Sequence, residues 1–213
     1  MGISDSTIAR YTLHDPDVRL MLQVRDDDAA AFEELMLRYQ DRLVTVLEHL
    51  VNSRDTAEDL AQDVFLRVYR SRKSYQPGAK FSTWLFTIAN NVASNSRRSR
   101  SRRKEVILES NPNNSQEMPG LDQIAVAASS FFPARRLDKE EMQSAVRTAI
   151  GTLNERQRMA VLLNKFENMS YDEIAETMEL TPKAIKSLLS RARGNLRTAL
   201  EPYLERGTAV SEG

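Results

Sequence analysis

The sequence predicts an all-α protein: two small helical domains joined by a flexible linker, the second containing a helix-turn-helix. Three observations carry this. Apolar residues recur at three- and four-residue steps through most of the chain, which sets them on one face of successive helices. A period-2 strand pattern appears nowhere. Ala, Leu, Glu and Arg are plentiful, while Gly and Pro number only seven each in 213 residues, a balance that favours helix.

The first domain is expected over 17–104. Phe32, Leu35, Met36, Tyr39, Leu43, Val46, Leu47 and Leu50 form the apolar stripe of one helix. Asn52-Ser53-Arg54-Asp55 breaks it. Asp55 with Glu58 three residues on reads as a capping box for the next helix, whose apolar face is Ala57, Leu60, Ala61, Val64, Phe65 and Val68. Tyr75-Gln76-Pro77-Gly78 is a turn, because Pro fixes φ and Gly permits positive φ. A third stripe, Phe81, Trp84, Leu85, Ile88 and Val92, runs into the basic segment Arg97-Arg98-Ser99-Arg100-Ser101-Arg102-Arg103-Lys104.

From 105 to 137 the periodicity disappears, and Asn111-Pro112-Asn113-Asn114-Ser115 and Met118-Pro119-Gly120 are loop-formers. This stretch reads as the linker, with Phe131-Phe132 as a short apolar island that either packs between the domains or docks a regulator. The second domain is expected over 138–206. Asp138 with Glu141 reads as its opening cap, before Val146, Ala149, Ile150 and Leu153. Asn154 starts the next helix, with Met159, Ala160, Leu162, Leu163 and Phe166 inside. Ser170-Tyr171-Asp172-Glu173 is a capping box for a short helix through Met178. Thr181-Pro182 places an N-cap before Pro at the first helical position. The last helix carries Ile185, Leu188, Leu189, Ala192 and Leu196, and Gly207 onward reads as a frayed tail.

Composition narrows the function classes. Thirty basic and thirty acidic residues sum to zero net charge, but they are unevenly spread. The basic run after residue 96 stands against Asp26-Asp27-Asp28 and Glu58-Asp59, a distribution suited to meeting both a polyanion and a basic protein surface. The chain has no cysteine, which excludes disulfides and thiolate metal sites and fits a cytoplasmic protein. Met1–Asp17 lacks the apolar core of a signal peptide, and no apolar run reaches the length of a membrane span, so no membrane insertion is expected. His14 and His49 have no companions at metal-ligand spacing. No acid–base pair and no Gly-rich phosphate loop stands out. The expectation is a protein without catalytic residues, metal or cofactor.

Two features point to nucleic acid. Ser170–Arg197 has the layout of a helix-turn-helix, with Lys183, Lys186, Ser187, Ser190, Arg191, Asn195 and Arg197 on the polar side of the second helix. An ordinary helical hairpin with a solvated basic face fits the same residues. The run Arg97–Lys104 can neutralise phosphates or be a solvated domain end. Trp84 suits base stacking, but its register with Phe81, Leu85 and Ile88 favours the core.

Four segments, in order, resemble the extracytoplasmic-function subgroup of the sigma-70 family of bacterial RNA polymerase sigma factors. Asp55–Tyr69 (DTAEDLAQDVFLRVY) and Phe81–Asn91 (FSTWLFTIANN) are similar to the family's second region. Leu153–Arg158 (LNERQR) is similar to the opening of its fourth region, and Ile185-Lys186-Ser187 with Arg191-Ala192-Arg193 to its recognition helix. The resemblance implies a factor that binds core RNA polymerase and directs promoter-specific initiation. It implies core contact through Asp59, Gln62, Asp63 and Arg67. It implies −10 promoter DNA contact through Lys80, Asn90, Asn91, Asn95, Arg97 and Arg98, and −35 contact through Lys183, Lys186, Ser187, Ser190 and Arg191. An anti-sigma factor is an implied partner. Family members often carry Asp where this chain has Asn95, and many carry Arg where it has Leu188. The chain has no room for the extra middle domain of larger members.

Two other readings cover parts of the chain. A helix-turn-helix regulator acting without polymerase accounts for the second domain but leaves the acidic helix and Phe81–Asn91 unexplained. A helical interaction protein leaves the basic runs as solvated surface.

Overall fold

Helix ends in this chain are set by short polar side chains, and most of them act locally. The structure, a computed structural model, describes residues 4–110 and 133–209. Every regular element among them is helical: α1 (Asp5–His14), α2 (Pro16–Arg25), α3 (Ala29–Val51), α4 (Arg54–Ser71), a 3-10 turn (Arg72–Ser74), α5 (Phe81–Ser110), α6 (Pro133–Thr152), α7 (Glu155–Lys165), α8 (Tyr171–Met178) and α9 (Pro182–Ala209). None of these helices is long and apolar enough to cross a membrane.

Capping fixes the register. Asp28 caps α3 by accepting from the Ala30 and Ala31 amides. Asn52 ends α3 in the left-handed region at φ 55°, a conformation Asn tolerates better than most residues. The cap of α4 is Ser53, which accepts from the Thr56 amide. The expected Asp55–Glu58 box is therefore corrected: Asp55 lies inside the first turn, where its charge suits the helix dipole. Asn154 and Ser170 both form complete capping boxes, with Gln157 and Glu173. Thr181 caps α9 by accepting from the Ala184 amide at 3.2 Å.

Several boundaries differ from the sequence reading. Two helices for which no periodic stripe was expected, α1 and α2, occupy 5–25, and Val18, Met21 and Val24 of α2 are fully buried. The stretch expected to be linker is helical at both ends, through Ser110 in α5 and from Pro133 in α6. Arg and Lys are good helix formers, so α5 continues without an apolar stripe. Pro133 opens α6 because a first-turn Pro gives up no helical bond, which leaves Asp138 inside the helix rather than at its cap. Likewise α9 runs past Gly207 to Ala209. Gly78 does not use its freedom, since no described glycine has positive φ. The Asn- and Pro-rich loop-formers and the Phe131-Phe132 island lie outside the described residues.

The core begins in α3, where Leu35, Tyr39, Leu43, Val46, Leu47 and Leu50 are buried as their spacing predicts. Each such aliphatic side chain contributes about 1.5–3 kcal/mol on leaving water. Helix α4 packs on α3, and α5 packs on both. In the second half, α6 and α7 pack on α9, with α8 against α9. The halves also touch: α5 lies on α8 and α3 on α7, and one apolar cluster runs through both. Phe166, expected inside, is 45% exposed and sits with its ring 5.9 Å from that of His49.

Candidate polymerase- and DNA-binding surfaces

The outer face of α4 follows from its period. Ala57, Ala61, Val64, Phe65 and Val68 turn inward, so Asp59, Gln62 and Arg67 stand exposed and Asp63 half-exposed. Arg67 pairs with Asp63 one turn back, at 3.0 Å. Beside this polar set lies an apolar feature the sequence reading missed. Between α3 and α4 runs a groove of about 740 Å³ lined by Phe32, Met36, Val44, Phe65, Leu66 and Tyr69, with Gln62 at its edge. Leu66 is 52% exposed there, out of phase with the buried stripe. A leucine and a tyrosine on the solvent side of an otherwise charged helix were the available clue.

In the acidic run Asp26-Asp27-Asp28, Asp26 stands exposed while the other two have partners within the chain. Asp28 is a helix cap, and Asp27 is paired with Arg72 at 3.1 Å and Lys73 at 2.5 Å. Those two cations hold the Asp27 carboxyl below its ordinary range.

At the start of α5, Phe81 is fully buried and in edge contact with Tyr39, with centroids 5.2 Å apart. Phe81 is therefore a core residue. Trp84 serves two purposes: it packs on Phe81 and Tyr75, at 5.9 and 4.8 Å, and also lines a cavity of about 850 Å³. Tyr75, Thr83, Thr87, Ile88 and Asn91 line it too. The hydroxyls of Tyr75 and Thr83 are buried there without hydrogen-bond partners. Burial raises the Tyr75 phenol further, so it stays a donor.

Farther along α5, Asn90, Asn91, Asn95 and Arg98 share a second cavity of about 520 Å³. Asn91, Asn95 and Arg98 are exposed, and Asn90 is half-buried. Lys80 and Arg97 are not free: Lys80 Nζ lies 2.7 Å from Glu173, and Arg97 forms an ion pair with Glu155. Burial lowers the Arg97 pKa against the opposing effect of Glu155. Of the basic run, Arg98, Arg100 and Arg102 remain at the surface, Arg100 within 3.4 Å of the Thr56 hydroxyl.

The helix-turn-helix is α8, the turn 179–181 and α9. Glu179 takes the left-handed conformation at φ 54°, and the Leu180 amide donates to the Ala175 carbonyl. Ile185, Leu189 and Ala192 are buried, so Lys183, Lys186, Ser187, Ser190 and Arg191 all face outward. Leu188 packs against the core. Asn195 is exposed, with its amide 3.4 Å from Gln157. No group of three or more His, Asp or Glu side chains gathers at metal distance among the described residues.

The two halves with this geometry each match a known family. Residues 35–103 match Sigma-70 region 2, and residues 143–196 match Sigma-70, region 4. The chain is 31% identical over 199 residues to the RNA polymerase sigma-H factor of Pseudomonas aeruginosa, covering 88% of this chain and 95% of that one. It is 29% identical over 200 residues to the ECF RNA polymerase sigma-E factor of Escherichia coli, covering 89% and 97%. Two solved structures share the fold. One is CnrH in complex with the cytosolic domain of CnrY, with TM-score 0.62 and 22% identity over 88% of this chain and 99% of that one. The other is the sigma factor RpoE in complex with the anti-sigma factor NepR from Bartonella quintana, with TM-score 0.57 and 25% identity over 80% and 96%. Region 2 is followed by region 4, and two sigma-factor relatives are matched over almost their whole length, so this chain belongs to the extracytoplasmic-function sigma factors of the sigma-70 family.

Proposed function

We propose that this sigma factor divides its work between its two halves as follows. The first block, 17–104, binds core RNA polymerase through Asp59, Gln62, Asp63 and Arg67, with the apolar groove beside them taking the partner's apolar side chains. The carboxylates supply acceptors to a basic partner, while Leu66 and Tyr69 supply area to bury. Lys80, Asn90, Asn91, Asn95, Arg97 and Arg98 contact the −10 element, and the cavity at Trp84 receives an extruded base. Stacking on an aromatic ring and hydrogen bonds to buried hydroxyls are the usual means of holding one. The second block, 138–206, reads the −35 element from the outward face of α9, through Lys183, Lys186, Ser187, Ser190 and Arg191. Linking the two readers raises their joint affinity through effective concentration.

The observation that carries this reading is the exposed polar face of α9, capped by Thr181 and backed by Ile185 and Leu189, in the half that matches region 4. The factor lends specificity and no catalytic residue of its own, works in the cytoplasm, and is held in check by an anti-sigma factor, as RpoE is bound by NepR. The test is transcription in vitro with sigma-free bacterial core polymerase and a pool of promoter fragments. Discrete starts that need this protein, downstream of a shared two-part motif, are expected. Core binding without any protein-dependent start, or no core binding at all, would overturn the assignment of roles.

A further inference from the structure

Residues 72–80 join α4 to α5, and Ser74, Tyr75, Gln76, Gly78 and Ala79 of this connection line the cavity at Trp84. A connecting loop is the softest part of a pocket wall, because little apolar burial fixes its shape. Here both ends of the loop are tied to one helix, α2. At the start, Arg72 meets Asp27, just past the end of α2, at 3.1 Å. Lys73 Nζ lies 2.5 Å from the same carboxylate and donates to the Arg25 carbonyl at 2.8 Å. At the finish, Asp15, the N-cap of α2, accepts from the Phe81 amide at 2.9 Å.

Between these ties α2 is a rigid piece. Fully extended, the loop would reach roughly 30 Å. The helix sets its two ties roughly 15 Å apart, at 1.5 Å per residue. Val18, Met21 and Val24 are fully buried and seat the helix in the core, so it cannot follow the loop outward. Asp27 sits in the left-handed region at φ 69°, a conformation Asp adopts more readily than most residues, and from there its carboxylate takes both cations. The anchored ends lead directly to the rings of the cavity. Tyr75 packs on Trp84 at 4.8 Å, and Phe81, whose amide Asp15 holds, packs on Trp84 from the other side of the loop at 5.9 Å.

We infer that α2 is a strut of fixed length for this loop, and that Asp15 and Asp27 are positioning residues for base recognition in the Trp84 cavity, although neither lines it. This rests on the assignment of the cavity to an extruded base. Exposed pairs such as Asp27 with Lys73 add little to the stability of a fold. Their effect here is to give the first residues of the loop one place, and so to give the cavity one shape. A pocket of one shape discriminates between bases, whereas a wall free to move accommodates several. The match to Sigma-70 region 2 begins at residue 35, so the residues that hold the pocket lie outside the segment that forms it.

The two ties can be cut without cutting the helix. Asp15→Ser keeps the cap of α2, since Ser and Asp cap about equally, but has no second carboxylate oxygen for Phe81. Asp27→Asn keeps a residue suited to the left-handed region and removes the charge that Arg72 and Lys73 meet. The full-length parent, D15S, D27N and D15S/D27N are assayed with core polymerase. The templates derive from one promoter recovered by the transcription experiment, with each −10 position carrying each base in turn, and open-complex formation is measured. Thr83→Val marks the position that the cavity reads, as the one whose base preference it alters. Trp84 is the only tryptophan, so acrylamide quenching of its fluorescence reports the loop in the same proteins.

The parent is expected to prefer one base at the marked position by roughly tenfold, the worth of one or two hydrogen bonds. D15S/D27N should bring that preference to within roughly threefold and increase quenching of Trp84. Preferences at the other −10 positions, core affinity and binding to a −35 duplex should not change. Asp26→Asn, next to the tie and outside it, should change nothing. A preference kept in full by a folded D15S/D27N overturns the inference. So does an equal loss of opening on every template, which is what a purely structural role for α2 produces, and so does D26N acting like D27N. Circular dichroism checks folding. Should the double variant not fold, D27N alone decides, since that side chain is 56% exposed. If Thr83→Val alters no preference at any position, the base assignment itself falls and the inference with it.

Discussion

The Asp15 carboxylate joins two helices 66 residues apart, accepting from the Phe81 amide at 2.9 Å through one oxygen and from the Asp17 amide at 2.9 Å through the other. One side chain thus caps both α2 and α5, and α5 carries the residues assigned to −10 DNA. Losing an N-cap to Ala costs about 0.5–2 kcal/mol. Asp15→Ala is expected to destabilise the chain by roughly twice that of an ordinary cap, about 1–4 kcal/mol. Chemical denaturation measures it, and an unchanged midpoint would mean the Phe81 bond contributes nothing.

That bond also shows where sequence reading stops. Caps that act within three residues, such as Asn154 on Gln157 and Ser170 on Glu173, are legible because donor and acceptor are neighbours in the chain. So are the buried stripe of α3 and the outward face of α9, which follow from a 3.6-residue period. Asp15 capping α5 is not legible, nor is Asp27 meeting Arg72 and Lys73, because the partner lies far along the sequence. The packing of one half on the other depends on Arg42 and Glu167, 125 residues apart. Two isolated charges at that separation leave no periodic mark. The candidate site was visible as two sets of exposed residues, while the ion pairs that occupy one of them were not.

Core binding is expected to fail on charge reversal at α4. Asp63 is half-exposed and its pair with Arg67 is an exposed i,i+4 bridge, worth only about 0.3–0.5 kcal/mol to the fold. Asp63→Arg therefore leaves the helix intact while repelling a basic partner. Leu66→Asp tests the groove in the same way, by charging a surface leucine that is 52% exposed. Pull-down with core polymerase, alongside thermal denaturation, separates the effects. Full core affinity in both variants would sink the assignment of this face.

On α9, Lys186 and Arg191 are exposed and make no ion pair within the chain among the described residues, so truncating them removes reach without disturbing packing. Lys186→Ala with Arg191→Ala is expected to weaken −35 recognition by about 1–3 kcal/mol for each base that a removed side chain had read. Transcription from matched promoters with and without a −35 element gives the readout. Equal output from both promoters, before and after mutation, would count against the assignment.

The packed arrangement of the two halves, the closed form, is expected to open on mild acidification. His49, half-buried at the end of α3, has its pKa held below the ordinary 6.5, first by burial and then by the positive charge of Arg147, with Glu48 opposing and Arg158 adding a smaller push in the same direction as Arg147. Opening returns it toward 6.5. Since the open form then takes the proton first, the closed form loses stability as pH falls below about 6.5. Two carboxylates titrate lower. At Glu173 burial pushes the pKa up, but the bonds from Lys80 and Ser170 outweigh it and leave it depressed, so this group acts in the same direction as His49. Glu176, raised by burial, opposes it. Energy transfer between dyes at Ala9→Cys and Thr198→Cys, one in each half, should fall between pH 7.5 and 5.5, roughly the window set by His49. His49→Asn should flatten the profile. A profile identical in both chains would remove His49 from the closed-state balance.

The cavity at Trp84 yields the sharpest separation of stability from function. Thr83 is 1% exposed and its hydroxyl has no partner, an arrangement that costs the resting protein about 1–3 kcal/mol. Thr83→Val keeps the shape and removes the unmet group, so the free chain should become more stable. If the hydroxyl is reserved for an extruded base, the same change should weaken promoter opening by roughly threefold to tenfold, the worth of one hydrogen bond. Tyr75→Phe, at the neighbouring unpaired phenol, should act alike. Permanganate footprinting of the −10 region measures opening, and denaturation measures stability. Gain of stability with unchanged opening would show the cavity to be a packing defect, whereas gain of one with loss of the other identifies it as a place kept for a ligand.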